Sequence, residues 1–374
     1  MDILQGIAPN DAYDRALVGN VHPVDWVNPE PAERYNLVVI GAGTAGLVCA
    51  AGAAGLGARV ALIERRLMGG DCLNAGCVPS KGLIRSSRAV HDAKITQEFC
   101  ISGCEGITVD FGAVMERMRR LRAGISVRDS ARRFRDELGV DVFFGEGRFC
   151  GPDSIEVNGK GLRFARAALC TGGRAAALPI PGLADVGYLT NESVFSLTER
   201  PPRLAVIGAG PIGCELAQAF ARLGSRVSIV GHRTEHVLPR EDPDAAALLE
   251  AVFTREGIDL YLPARDLAVS GRSAGKTLRF TSGGREVEVT ADEILVGVGR
   301  TPNVEGLGLD AAGIEFDPRQ GVTVDDRLRT SNPRVFAAGD ICFPYKFTHT
   351  ADALARILIA NALFGGRQKA SALT

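Results

Sequence analysis

Histidine and tyrosine occur five times each in this 374-residue chain, methionine four times and tryptophan once. An excess of either charge is also missing: 43 Lys and Arg nearly cancel 44 Asp and Glu, leaving a formal net charge of −1. Such a chain has no electrostatic footprint for nucleic acid or for an anionic membrane surface. Its opening residues, MDILQGIAPNDAYDRA, lack the apolar core of a signal peptide, so a cytoplasmic protein is expected. Nine cysteines form neither a disulfide framework nor a zinc pattern, and no metal site is expected. The uncharged run 37–58 is long enough to consider as a membrane span. Its six glycines argue instead for a buried strand, turn and helix. Glycine is what the chain has in abundance, 45 residues in all, as the tight turns and close approaches of nucleotide-binding α/β folds require.

Two stretches repeat one pattern: YNLVVIGAGTAGLVCAAGAAGLGARVALIE (35–64) and PRLAVIGAGPIGCELAQAFARLGSRVSIVG (202–231). Each has an apolar run, a G-x-G-x-x-G turn, an Ala-rich helical segment and a second apolar run, the order of a βαβ dinucleotide fold. Gly41 and Gly208 serve the tight turn, Gly43 and Gly210 the approach of a pyrophosphate, and Gly46 and Gly213 the packing of helix on strand. The following helix then offers free N–H groups to the phosphates. The copies differ 23 positions after the first glycine. The first ends in Glu64, placed for adenosine ribose hydroxyls. The second ends in Gly231, followed by His232 and Arg233, which removes the acidic contact and favours NADPH over NADH. The bland alternative leaves both side chains facing water.

Between the copies lies GGDCLNAGCVPSK (69–81). Four residues separate Cys72 from Cys77, so the thiols can meet if Cys72 sits at a helix start and Cys77 one turn further on. A helix N-terminus and nearby Lys81 would stabilise a thiolate. On spacing alone, two inert buried cysteines explain the pair equally well. Cys49, Cys150, Cys170, Cys214 and Cys342 occupy apolar or strand-adjacent positions and are expected to be buried small hydrophobes. The pair in CISGC (100–104) is read as incidental. The Arg-rich segment 115–137 is expected to be a helix packed through Met115, Met118, Leu121 and Ile125, its charges in water.

These segments resemble the flavoprotein disulfide reductases, the family of dihydrolipoamide dehydrogenase, glutathione reductase and mercuric reductase. CTGGRAA (170–176), GAGPIGCELA (208–217), GVGRTPNVEGLGLDAAGI (297–314) and TSNPRVFAAGD (330–340) follow in the family's order, and YKFTHTADALARILIANALF is most similar to the mercuric-reductase branch. The resemblance implies two Rossmann-like three-layer domains binding FAD and NADPH or NADH. It implies Cys72 as the interchange thiol, Cys77 as the thiol against the flavin, and Lys81 with Glu215 as an ion pair beside the flavin. Asp340 would bond the ribityl chain, with Gly339 allowing its approach and Thr171 and Gly172 in a nearby turn. Gly70 and Gly299 are carried as cofactor-binding positions within the same motifs. Thr348 and His349 would lie near the flavin with their side-chain roles open. Asp340 as a plain helix cap, and Lys81 and Glu215 as ordinary surface charges, are the structural alternatives.

The expected domains are a lightly packed N-terminal arm (1–34), an FAD domain (35–182 and 309–374) and an NAD(P) domain (183–308). Family members continue into a dimerisation domain whose partner-subunit His–Glu pair protonates the leaving thiol, and no counterpart is found in this chain. The expected activity is hydride transfer from NAD(P)H through FAD to the Cys72–Cys77 disulfide, then to a disulfide or Hg(II)-type acceptor. Alternatives are an NAD(P)H oxidase or diaphorase, and an idle flavin-binding protein.

Overall fold

The computed structural model describes residues 7–104, 106–272 and 275–373; the first six residues of the stretch read as lacking a signal peptide lie outside them. Ten α-helices are described: α1 Ala12–Val21, α2 Thr44–Gly55, α3 Gly70–Asn74, α4 Cys77–Lys94, α5 Phe111–Ser126, α6 Ala131–Asp136, α7 Leu183–Val186, α8 Pro211–Arg222, α9 Pro243–Arg255 and α10 Thr348–Phe364. None is long and apolar enough to cross a membrane.

The first sheet contains β1 Tyr35–Ile40, β2 Val60–Glu64, β3 Asp141–Phe144, β4 Arg148–Gly151, β5 Ser154–Val157 and β6 Lys160–Leu169. Its order is β3-β2-β1-β6-β5-β4. The short strand β7 (Gly173–Ala175) follows it. The second sheet contains β8 Arg203–Ile207, β9 Arg226–His232, β10 Asp259–Arg272, β11 Gly275–Ser282, β12 Arg285–Ala291 and β13 Glu293–Val296, in the order β12-β11-β10-β9-β8-β13. β14 (Arg300–Pro302) pairs with β7, and β15 (Phe316–Asp317) with β16 (Gly321–Val322). β17 (Val335–Ala337) returns to the first sheet alongside β6.

Both sheets have parallel centres and an antiparallel flank, so the fold is α/β with two Rossmann-like halves. Leu37, Val38 and Val39 have no exposed surface: from Leu37 onward β1 is covered on both faces and therefore reads as an apolar run. Helices α2 and α10 lie over one face of the first sheet, and the β4–β5–β6 meander encloses a separate core on the other. The uncharged stretch is thus β1, a turn and α2.

Two expectations are corrected. The arm is packed where it forms α1, since Asp14, Leu17, Val18 and Val21 are buried, while residues 24–34 beyond it stay half-buried or exposed. In α5, Met115 and Met118 are buried as expected, but Leu121 and Ile125 are exposed while Arg119 and Arg122 are buried. The physical reason is two ion pairs: Arg119 pairs with Asp11 at 2.6 Å and Arg122 with Asp14 at 2.8 Å. Sequence periodicity cannot see an aspartate pair arriving from 108 residues away.

Candidate active site

The redox segment is two helices and not one. Cys72 lies in the single turn α3, whereas Cys77 is the first residue of α4, with Gly76 as its N-cap at φ −140°, ψ −118°. A side chain at Gly76 would place Cβ 2.7 Å from the Asp71 carbonyl oxygen, so the break is tight backbone against backbone. The thiols nevertheless meet. A hydrogen bond from Cys72, aided by Thr348 and the Lys81 charge, pulls the Cys77 pKa down to about 5 against burial and Glu215. Its position at the start of α4 works in the same direction. Cys72 moves the opposite way: holding its proton in the bond to Cys77, and burial, raise its pKa, with the Asp129 carboxylate adding to both. Both shifts favour the thiolate at Cys77 and the proton at Cys72.

Thr348 begins α10 and its Oγ1 lies 3.3 Å from the Cys77 sulfur. His349 is exposed and stacks on Phe347, with ring centroids 5.4 Å apart. Lys81 Nζ is 3.4 Å from both carboxylate oxygens of Glu215, a half-exposed pair joining α4 to α8.

The first glycine turn is assembled against this segment. A Cβ on Gly46 would stand 1.7 Å from the Gly41 carbonyl oxygen, and one on Gly70 would stand 2.5 Å from the Gly43 Cα. The turn and the redox segment touch where residue 70 has room only for glycine. Gly43 caps α2 without a side-chain bond, which leaves the helix N–H groups for an anion. Glu64 accepts from the Ala42 and Arg66 N–H groups at 2.8 Å each, and burial still raises its pKa. Thr171 donates to the Asn303 carbonyl at 2.8 Å, and Gly172 beside it has φ +65°.

Asp340 does not act as a helix cap. It follows Gly339 (φ +88°) and accepts from Arg300 Nε at 2.9 Å; Arg300 also bonds Asp71 and the Gly173 carbonyl. Arg300 was missed by sequence reasoning. It stands next to Gly299 (φ +122°) in GVGRTPN, a segment in which the glycine alone was given a cofactor role.

In the second fold, Gly208, Gly210 and Gly213 reproduce the turn, and a Cβ on Gly213 would stand 2.2 Å from the Gly208 oxygen. The end of β9 is different. A side chain at Gly231 would meet Leu262 at 2.1 Å and Thr234 Oγ1 at 2.6 Å, so neighbours fill the space an acidic side chain would need. His232 Nδ1 and Thr234 Oγ1 are buried there without hydrogen-bond partners. Arg233 is exposed, with φ +61°. Burial, and then the Arg233 charge, lower the His232 pKa below the ordinary 6.5. Thr234 is a second residue the sequence did not flag.

Among the remaining cysteines, Cys49, Cys170 and Cys214 are buried and Cys342 is half-buried, but Cys150 is exposed, contrary to expectation. It occupies a strand of the first sheet's antiparallel flank, where alternate residues face water. Cys100 is exposed and Cys104 half-buried. Among the described residues, no three His, Cys, Asp or Glu side chains gather to hold a metal ion.

Two glycine-cradled helix starts and a polarised thiol pair against the first define an α/β protein with two dinucleotide sites. The chain belongs to the pyridine nucleotide-disulphide oxidoreductase family, whose model matches residues 35–355. Its cofactors are FAD and NAD(P)H. It is 34% identical over 343 residues to a mercuric reductase of Bacillus cereus, covering 92% of this chain and 54% of that protein. A dihydrolipoyl dehydrogenase of Chlamydia trachomatis is 35% identical over 325 residues, covering 85% of this chain and 68% of that one. In structure, the chain matches the HOCl-induced flavoprotein disulfide reductase RclA from Escherichia coli with a TM-score of 0.77 at 28% identity, over 90% of this chain and 73% of RclA. The chain thus spans just over half of the mercuric reductase named.

Proposed function

We propose that the chain is the core of an NAD(P)H-dependent disulfide reductase that passes two electrons to the Cys72–Cys77 pair and on to a disulfide-class acceptor. The observation that carries this reading is the opposite polarisation of the two thiols across the α3–α4 break. Gly41, Gly43, Gly46, Glu64, Gly70, Thr171, Gly172, Gly339 and Asp340 would hold FAD. Gly208, Gly210, Gly213, Gly231, His232, Arg233 and Gly299 would hold the nicotinamide nucleotide. When bound, FAD supplies the two-electron link that restores the dithiol from the disulfide. Glu64 keeps lone pairs for ribose hydroxyls beyond its two backbone bonds. The division of the chain at 182/183 and 308/309 belongs to the same proposal.

The thiol chemistry follows from the residues. Cys72 attacks one sulfur of the acceptor, passing its proton to the Cys77 sulfur, and the acceptor's other sulfur leaves as a thiolate. That thiolate takes the proton back from Cys77. Cys77 then attacks Cys72, releasing the second acceptor thiolate and forming the Cys72–Cys77 disulfide. Two electrons have moved from the pair to the acceptor. Thr348 and Lys81 stabilise the Cys77 thiolate before the first step and again before it attacks Cys72.

NADPH is the proposed nucleotide, supported by the missing carboxylate at Gly231 and the unpartnered His232 and Thr234 atoms. A cytoplasmic setting accords with nine unpaired cysteines, and a homodimer is the assembly expected of the family. Anaerobic NADPH titration should produce a long-wavelength thiolate–flavin band that Cys77→Ala abolishes and Cys72→Ala retains. Cys72→Ala should also stop reduction of small disulfides. Bound FAD with no such band would overturn the thiol roles. Quinone reduction that persists in Cys72→Ala, with no disulfide or Hg(II) reduction by the parent, would make the chain a diaphorase.

A further inference from the structure

α3 is five residues long, far too short to hold its shape alone. Its last residue, Asn74, closes the turn from inside by donating to the Gly70 carbonyl at 2.9 Å and the Met68 carbonyl at 3.1 Å. Two donors from distant segments then grip the backbone between the thiols. Arg122 Nη1 bonds the Asn74 carbonyl at 2.9 Å, and Asn191 Nδ2 bonds the Ala75 carbonyl at 3.2 Å. Arg122 is itself held by Asp14, which has no exposed surface. Asp14 belongs to α1, which precedes the residues matched by the family model. A second attachment is the Met68 N–H, which donates to the Val21 carbonyl at the end of α1 at 3.1 Å.

Stability alone does not explain this cluster. Desolvation of a buried ion pair commonly cancels its attraction, and apolar residues of similar size do as well or better. The packing is also imperfect: Arg119 Nη1 and Arg122 Nε are buried without partners. What the pair does supply is direction, since Asp14 aims the Arg122 guanidinium at one carbonyl between the two cysteines.

We propose that α1 is a positioning strap for the redox turn, in which Asp14 fixes Arg122, Arg122 fixes the Asn74 carbonyl, and the spacing of Cys72 from Cys77 is thereby set. Asp14 and Arg122 are positioning residues, remote from the reacting sulfurs. The inference rests on reading Cys72 and Cys77 as a reactive pair.

The test uses the full FAD-loaded chain, reduced and then alkylated with iodoacetamide across pH 4–9, with the rate at each cysteine read by mass spectrometry. Groups facing the pair are Thr348 on α10, Lys81 on α4, Glu215 on α8 and Asp129 after α5, and all are left unaltered. In the parent, Cys77 should titrate near pH 5. Asp14→Asn and Arg122→Met should weaken the Cys72–Cys77 hydrogen bond and raise that midpoint by about one unit, tenfold in the proton equilibrium. Arg122→Lys should restore part of the shift. Arg222→Met, which breaks the buried pair between Arg222 of α8 and Glu256 at the end of α9, should lower Tm and leave the midpoint alone. Asp14→Asn is nearly isosteric and decides the matter even where Arg122→Met does not fold. A parent midpoint near 5 that Asp14→Asn and Arg122→Lys both share would overturn the strap. A parent midpoint in the ordinary thiol range would instead overturn the reading of the pair itself.

Discussion

The two dinucleotide folds share a backbone and part company at one residue. In the first, Glu64 ends β2 with both oxygens committed to N–H groups of its own fold. In the second, Gly231 near the end of β9 has its missing side chain replaced by Leu262 and Thr234, and two polar atoms beside it are buried unpaired. A self-satisfied strand end suits a permanently held cofactor, because little is left exposed or unpaired. An unsatisfied end gains hydrogen bonds only when a ligand arrives, which suits a nucleotide that binds and leaves. The turns are constrained alike; the strand ends are what distinguish the sites.

The largest effect should come from breaking each turn separately. Gly46→Ala forces Cβ onto the Gly41 carbonyl, and Gly213→Ala forces it onto the Gly208 carbonyl. Both clashes are with backbone, so neither relaxes by a rotamer change, and each should destabilise its half by about 3 kcal/mol. Gly46→Ala should purify without flavin. Gly213→Ala should keep its yellow colour yet fail to be reduced by NADPH. Visible absorbance before and after NADPH separates the outcomes, and flavin loss from both variants would show that the halves are not independent.

How far the sequence carried follows from the same contrast. The turns were legible because strand, glycines and helix are contiguous and appear twice. The break between α3 and α4 was not, since it depends on the backbone angles of Gly76 and its contact with Asp71. The burial of Arg119 and Arg122 was hidden because their partners lie in α1. Arg300 was missed for a related reason: β14 pairs with β7 and brings Arg300 to Asp340 and Asp71 only after the chain has passed through the second sheet. Local pattern shows what a segment is; the long-range ion pairs depend on what later folds against it.

A middle-sized effect tests the first strand end. Glu64→Gln leaves one acceptor oxygen and an NH₂ group where two oxygens now accept backbone N–H bonds. One backbone donor loses its partner, and at the part-buried Ala42 N–H that costs about 1–3 kcal/mol. FAD should dissociate on the order of tenfold to a hundredfold more readily, as measured by flavin release on dilution. Because the nucleotide half is untouched, the KM for NADPH of the flavin-saturated variant should stay put. A change there would mean the two ends are coupled.

The smallest effect concerns the second strand end and carries a sign with pH. Arg233 is the exposed cation beside Gly231, and its loss should narrow the NADPH preference by roughly threefold, the worth of one partly screened charge contact. His232 contributes charge only when protonated. Burial and the Arg233 charge hold its pKa below 6.5, so it is mainly neutral at pH 7. The KM ratio of NADH to NADPH should therefore be flat from pH 7 to 8.5 and rise only as pH falls below about 6.5. Arg233→Ala removes one of the two forces depressing the His232 pKa, so the rise should begin at higher pH even as the ratio itself shrinks. His232→Gln should abolish the rise and keep most of the preference at pH 8. Matched KM values for the two nucleotides at every pH, unmoved by either substitution, would leave Gly231 as a gap without a ligand and the unpaired atoms beside it without a purpose in binding.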